Sequence, residues 1–234
     1  MFGAVSTPVL MAACNKDNAS TETTTGGDGT VTNPGGSGST TCTVAPTETE
    51  GPFPTHTPSS YVRSDITDGK SGYAMTAKLT IANVNNSCAV LAGAIVDIWH
   101  CDAEGNYSEY GGSGMQSTNY QSVHFLRGRQ TTDANGIVTF KTIFPGWYNG
   151  RSTHIHVHVY NASGTSLKVT QIAFPEGTGT AVAAVNGYTK GMSGYTSNKN
   201  DNVFSDDSTG IEIATVSGST SAGFELSIKI NVAA

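Results

Sequence analysis

Three histidines that alternate with apolar residues are the side chains of this chain best suited to chemistry. The run from His154 to His158 reads His-Ile-His-Val-His, which is the period-two pattern of a β-strand. Its imidazoles therefore point to one face of the strand and its apolar side chains to the other. Neighbouring positions on one face lie roughly 6.6 Å apart, so two imidazoles can bind a single ion. The pattern therefore predicts a metal site on the face that carries His154, His156 and His158.

Composition favours an exported β-protein over a cytosolic helical enzyme. Charged residues make up 13% of the 234 residues, where about a quarter is usual, so Ser, Thr, Asn and Gly supply much of the surface polarity. The net charge of −6 argues against a nucleic acid or an anionic membrane as an electrostatically held partner. No apolar run approaches the roughly 18 residues that a membrane-spanning helix needs.

The N-terminal region resembles an export signal that lacks its beginning. In residues 1–14 a short apolar run ends on small residues before Cys14, as in a bacterial lipoprotein cleavage site, although no Lys or Arg precedes it. We expect an exported protein, either a cell-envelope lipoprotein with its lipid on Cys14 or a secreted one; an ordinary disordered tail is the alternative. Residues 15–41 are mostly small and polar, which predicts a flexible tether before a single domain over 42–234.

The cysteines of that domain leave open whether a disulfide forms and which two residues it joins. If Cys14 is lipidated, Cys42, Cys88 and Cys101 remain, so at most one disulfide forms and one thiol stays unpaired. An oxidising compartment favours such a bridge, but the spacing does not select the pair. Three buried, reduced cysteines are the alternative.

The pattern after residue 42 predicts an all-β fold, an antiparallel β-sandwich with long irregular loops. No long amphipathic helix is predicted. Two long stretches without regular pattern, from Cys101 to about His124 and from about Glu176 to Ser208, are loops of a length that is usually functional or mobile. The strands are predicted over Ala74–Val84, Ala92–His100, Ile137–Ile143, His154–Tyr160, Leu167–Phe174 and Phe224–Val232.

Four motifs in order along the chain carry a resemblance to a known family. They are Thr-Glu-Gly-Pro-Phe over 49–53, Val-Asp-Ile-Trp-His-Cys over 96–101, Phe-Leu-Arg-Gly over 125–128, and the stretch from Phe144-Pro-Gly-Trp-Tyr to His156. In these motifs the chain resembles the intradiol ring-cleaving dioxygenases, and within them the exported, single-domain branch. The resemblance covers roughly half of the chain, from about residue 42 to about residue 160.

The resemblance implies a non-haem Fe(III) ion held by two tyrosines and two histidines. By position in the motifs these ligands are Tyr107, Tyr148, His154 and His156. Phenolate oxygens favour a hard, highly charged ion such as Fe(III), whereas imidazole alone does not choose among zinc, copper, iron and nickel. The arginine of the motif falls on Arg151, in an Arg-Ser-Thr-His sequence where the family commonly has Arg-Pro-Ala-His.

The implied activity is cleavage of a catechol-type aromatic diol by dioxygen to a cis,cis-muconate-type diacid. In that reaction Tyr148 would act as the general base and Arg151 would stabilise negative charge developing on the substrate. Phe53 and Arg127 are candidates for the substrate wall, and Tyr110 is expected to bind substrate from the pocket rim. Neither the catechol that is accepted nor the oligomeric state follows from the sequence.

Two other functions compete with this one. A non-catalytic, transthyretin-like surface module would explain the β-pattern and the Pro-Gly-x-Tyr turn, but not the four-ligand set. A zinc hydrolase using all three strand histidines would leave both tyrosines without a role.

Overall fold

A computed structural model describes residues 1, 3 and 42–234. The predicted tether over 15–41 and the predicted lipidation of Cys14 lie outside the described residues, as does all of the predicted signal except residues 1 and 3. No helix among the described residues is long and apolar enough to cross a membrane.

Strands dominate the described part of the chain, and the one α-helix there has five residues. Short 3₁₀ turns lie at Pro58–Ser60, Val84–Asn86, Tyr188–Lys190 and Asn198–Asn200. The longer elements are β1 (Ala74–Asn83), β2 (Ala89–Val90), β3 (Ile95–Trp99), β4 (Arg127–Thr131), β5 (Ile137–Ile143), β6 (His154–Tyr160), β7 (Ser166–Ala173), α1 (Ala181–Val185), β8 (Thr215–Ser219) and β9 (Gly223–Val232).

Two sheets form the sandwich. One has the order β4-β3-β6-β7 and the other β2-β1-β9-β8, with β5 also paired to β1. The prediction of an all-β sandwich with long loops is confirmed. Its strands are antiparallel except that β1 and β9 run parallel, and this pair was not foreseen. A parallel pair needs a long crossover, and here most of the domain, residues 84–222, lies between the two strands.

The core lies between the sheets and is filled by the alternating apolar positions of both. On β6 these are Ile155, Val157 and Val159, which are completely buried. They meet apolar side chains of the other sheet, among them Leu79 and Phe140. Burying a side chain of this size contributes about 1.5–3 kcal/mol relative to exposing it, so this face of β6 fixes the strand's orientation. The histidines are thereby placed on the outer face.

Three strands were missed from the sequence: β2, which has only two residues, and the longer β4 and β8. The sequences of β4 and β8, Arg-Gly-Arg-Gln-Thr and Thr-Val-Ser-Gly-Ser, lack the regular alternation of apolar residues on which the prediction rested. Both form through pairing, since β4 hydrogen-bonds to β3 and β8 to β9. The other strands lie where the sequence predicts them, to within a few residues at their ends.

One disulfide forms in the described part of the chain, between Cys42 and Cys88, and it settles the pairing that spacing left open. Their Cα atoms lie 5.6 Å apart, inside the normal range for a bridge. The disulfide ties the start of the domain to the turn after β1. Cys101 keeps a free, buried thiol.

Candidate metal centre

His154 and His156 lie on the outer face of the β4-β3-β6-β7 sheet, yet each is no more than 1% exposed. The register places Trp99 of β3 opposite His156, and their rings stack with centroids 4.9 Å apart at an interplanar angle of 3°. The long loops cover what would otherwise be a solvent-facing surface. The site is therefore buried between the outer face of this sheet and the loops that cover it.

Three donor atoms converge at this place. Tyr107 Oη lies 3.2 Å from His154 Nε2, which in turn lies 3.2 Å from His156 Nε2. Two donors about 2.1 Å from a shared ion, at an angle of about 100° to each other, are about 3.2 Å apart. The spacing of these atoms thus fits ligands of one metal ion.

The protonation state of His154 is set by its other ring nitrogen. Nδ1 lies 2.7 Å from the carbonyl oxygen of Ser152, and because a carbonyl only accepts, Nδ1 carries the proton. Nε2 is then left with a lone pair that faces the convergence point, as in metal-binding histidines. Burial, helped by the charge of Arg151, lowers the pKa of His154 to about 3. The pKa of His156 is also lowered, chiefly by burial, so both rings are in the neutral form that binds metals.

Tyr107 reaches the site from the first long loop, and hydrogen bonds fix that loop. The backbone N–H of Tyr107 donates to Gln116 Oε1 at 2.7 Å, and Gln116 Nε2 donates back to the carbonyl of Tyr107. Asp102 Oδ1 accepts from the backbone N–H of Asn106. Gly105 has φ +87, and a Cβ there would lie 2.2 Å from the carbonyl oxygen of Trp147, so only glycine lets the two loops approach. Tyr107 is completely buried.

Tyr148 lies beside this centre but is only partly buried. Its ring centroid is 5.6 Å from that of His154 and 5.8 Å from that of Tyr107. Burial raises the pKa of Tyr148, and the neighbouring Arg151 opposes that rise. Burial raises the pKa of Tyr107 well above its ordinary value. Of the two phenols, Tyr148 is the one with access to solvent.

The guanidinium of Arg151 is held between two side chains that the sequence did not single out. Its Nε donates to both carboxylate oxygens of Asp201, at 3.0 and 2.9 Å, and Nη2 donates to Gln171 Oε1 at 2.6 Å. Nη1 lies 3.5 Å from His154 Nε2. Gln171 is opposite His156 in the register of β6 and β7, so strand pairing alone would have found it. Asp201 has no comparable local signal.

The stretch over 176–208, to which the sequence assigned no role, anchors the loop that carries Tyr148. Asp201 belongs to it. The hydroxyl of Tyr195 accepts from the backbone N–H of Thr153 and donates to Glu176. Trp147 Nε1 donates to the carbonyl of Gly191 at 2.9 Å. This segment is thus a structural part of the site.

The structure shows why the first motif has a glycine at position 51. The residue has φ +70, and a Cβ built on it would lie 2.9 Å from Cε1 of His156. Only glycine accepts this conformation freely and leaves room for the ring.

None of the predicted substrate-binding residues, Phe53, Tyr110 and Arg127, lines the cleft that opens beside Tyr148 and Arg151. Phe53 stacks on Tyr107 with centroids 4.7 Å apart, and Tyr110 packs edge-on against Phe53. Arg127 is completely buried, and its donors are used by the carbonyls of Phe53 and Ser108, among other groups. This position does not fit the predicted place on the substrate wall, since Arg127 lies behind Phe53 and supports it.

The geometry excludes the three-histidine zinc site as it was envisaged. His158 is engaged elsewhere, with Glu50 on Nδ1 and Ser166 on Nε2. Among the described residues no three His, Cys, Asp or Glu side chains form a metal-binding group. A metal bound at His154 and His156 needs the phenol oxygens to complete its coordination.

A cleft of about 410 Å³ opens beside Tyr148 and Arg151. It is lined by Thr49, Gly51, Pro52, Met115, Tyr148, Asn149, Gly150, Arg151, Asn202 and Val203. The partly exposed phenol and the guanidinium therefore meet anything that enters from solvent.

Comparison with known proteins gives the same family as the motifs. The family model described as Dioxygenase (Dioxygenase_C) matches residues 50–205, more than half of the chain; no curated protein sequence matches. The solved intradiol ring-cleavage dioxygenase from Tetranychus urticae is 29% identical, with a TM-score of 0.69 over 82% of this chain and 95% of that one.

Two further solved structures share the fold. The dioxygenase domain of a carbohydrate-binding fusion from Streptomyces sp. SirexAA-E has 24% identity and a TM-score of 0.57, over 82% of this chain and 99% of that one. Hydroxyquinol 1,2-dioxygenase from Pseudomonas putida DLL-E4 has 15% identity and a TM-score of 0.57, over 82% of this chain and 67% of that one.

The family match overturns the alternative of a non-catalytic binding module, and it agrees with the motifs on which the resemblance rested. The chain belongs to the dioxygenase family described by this model and is an intradiol ring-cleaving dioxygenase.

Proposed function

We propose that the protein is a non-haem Fe(III) enzyme that cleaves a catechol-type aromatic between its two hydroxylated carbons. Both atoms of dioxygen enter the product, a cis,cis-muconate-type diacid, so the reaction balances without a further reductant. The observation that carries the proposal is the convergence of Tyr107 Oη, His154 Nε2 and His156 Nε2, with Tyr148 and Arg151 at the adjoining cleft.

The four side chains Tyr107, Tyr148, His154 and His156 would hold the ion. Two phenolates and two neutral imidazoles offset most of the charge of a trivalent cation, which makes its burial tolerable. When bound, Fe(III) supplies the activation of the catechol toward dioxygen. The buried phenol, Tyr107, is fixed by its loop and by the stacked ring of Phe53, and it has the features of a permanent ligand.

Tyr148 has the features of the base. It is the partly exposed phenol of the two, and it lines the cleft through which a catechol hydroxyl would arrive. As a phenolate it would accept the proton of that hydroxyl. The positive charge of Arg151 beside it favours the phenolate form against the effect of burial.

Arg151 would stabilise negative charge that develops on the substrate ring. Its Nη1 faces the ligand nitrogen of His154 at 3.5 Å, so the guanidinium borders the place where a bound catechol must lie. Asp201 and Gln171 fix its plane, and a charge that is oriented in advance needs no reorganisation during the reaction.

The test is aerobic incubation of iron-loaded protein with several catechols, with the ring-opened diacid identified by mass spectrometry. Tyr148→Phe is expected to lower kcat at least 100-fold. Tyr160→Phe is the matched control, because Tyr160 bonds to His158 away from the centre, and it should retain activity. Full activity in Tyr148→Phe would refute the assignment of the base. Absence of ring opening with every catechol would refute the function.

We further propose that the protein acts outside the cytoplasm as an exported protein. The Cys42–Cys88 disulfide supports this, since such bridges persist in oxidising compartments. Fractionation of the producing cells tests it, and recovery in the cytosol with both thiols reduced would contradict it.

A further inference from the structure

The charge of the cleft carries information about the substrate. Among the ten residues that line it, Arg151 is the only one with a charged side chain. The others are small, apolar or amide-bearing, apart from the phenol of Tyr148. A substrate group that extends from the catechol ring into this cleft therefore meets few charges.

Arg151 is itself not free to pair with an anionic substituent. Asp201 neutralises it through two contacts with Nε, and Gln171 occupies Nη2. The second arginine near the centre, Arg127, is sealed behind Phe53 and lies 3.6 Å from the buried carboxylate of Glu109. Each of these two arginines thus has its own carboxylate.

The outer part of the cleft offers hydrogen bonds without charge. Asn149 and Asn202 lie there on opposite loops, are exposed, and make no side-chain hydrogen bond to another described residue. Met115, which is 71% exposed, adds an apolar edge. Amide groups both donate and accept, so they suit hydroxyl, ether or amide substituents.

We propose that the site selects catechols whose ring substituents are uncharged, and that it discriminates against a carboxylate on the ring. The substituent projects past Asn149 and Asn202 toward solvent, and these two residues determine specificity. A carboxylate in this cleft would lose part of its hydration without gaining an unpaired cation. This inference rests on the proposed function.

Two substrates that differ mainly in charge test this selectivity. They are 3,4-dihydroxybenzamide and 3,4-dihydroxybenzoate. We expect kcat/KM for the amide to exceed that for the carboxylate at least 10-fold. Dissociation constants measured without oxygen, by calorimetry, should show the same preference. Equal values, or a preference for the carboxylate, would overturn the inference.

A charge introduced at the rim provides the second test. Asn202→Lys should shift the ratio of the two kcat/KM values at least 5-fold toward the carboxylate, whereas Asn202→Gln should leave the ratio within 2-fold. Asn149→Lys serves if the first variant fails to fold. An unchanged ratio in the folded lysine variant would overturn the role of the rim. If no catechol is opened, the proposed function fails, and the oxygen-free binding constants still decide on charge selection.

Discussion

Replacing Asp201 by asparagine tests the role of the buried ion pair in holding the site together. The carboxylate is completely buried, and besides Arg151 it accepts the backbone N–H groups of Ser152 at 2.7 Å and Val203 at 2.9 Å. Asparagine has the same shape but no charge, and only one of its two terminal groups accepts. Removing one partner of a buried ion pair typically costs about 3–5 kcal/mol. We expect a loss of unfolding free energy of that size.

Equilibrium denaturation in urea measures this loss. The matched control is Asp68→Asn, since Asp68 pairs with Arg63 at the surface with 46% of its side chain exposed, and exposed pairs contribute about 0–1 kcal/mol. Combining Asp201→Asn with Arg151→Met should cost less than the sum of the two single changes, because the double variant leaves no unpaired charge. Strict additivity, or a loss near that of the control, would refute the reasoning.

The same pair predicts a pH dependence. Burial raises the pKa of Asp201, but the N–H groups of Ser152 and Val203 and the charge of Arg151 outweigh it, so the pKa lies below its ordinary value. A carboxylate with a depressed pKa stabilises the fold above its unfolded pKa of about 3.9, and this contribution is lost as the pH falls further. The stability difference between wild type and Asp201→Asn should therefore be constant from pH 5 to 8 and shrink below about pH 4.

Two further substitutions test the close approach at the metal centre and the disulfide. Gly51→Ala should sharply lower iron content, measured by elemental analysis, because its methyl group meets His156. Gly69→Ala has a similar φ of +74 but nothing within 4 Å, so it should keep its iron; equal loss in both would point to backbone strain instead. Cys88→Ser, which breaks the bridge to Cys42 across 46 residues, should lower the unfolding free energy by about 4 kcal/mol, and an unchanged urea midpoint would contradict this.

The convergence of His154 and His156 could be predicted from the sequence because they lie on a strand. Period-two alternation assigns His154 and His156 to one face whatever surrounds the strand, and the apolar face formed by Ile155 and Val157 fixes which side is buried in the core. Tyr107 lies in a long loop, where no periodicity relates sequence distance to spatial distance. Its prediction came from the motifs of the resemblance, and the structure brings its hydroxyl to His154.

Other parts of the site depend on strand pairing that a single sequence does not reveal. The register aligns Arg127, Trp99, His156 and Gln171 in one row across the sheet. Arg127 is two strands from His156, roughly 10 Å at the usual strand spacing, which is why it does not reach the centre. Gln171 is one strand away and does reach Arg151.

The position of the site outside the sandwich gives the two long loops a role that their composition does not suggest. The outer face of a sheet normally meets water, and imidazoles there would keep their ordinary pKa. The first loop brings Tyr107 over His154, and the second brings Asp201 to Arg151. Their packing removes water from both imidazoles and thereby lowers their pKa. The strand supplies the spacing of the two imidazoles, and the loops supply the burial that makes both rings neutral and available to a metal ion.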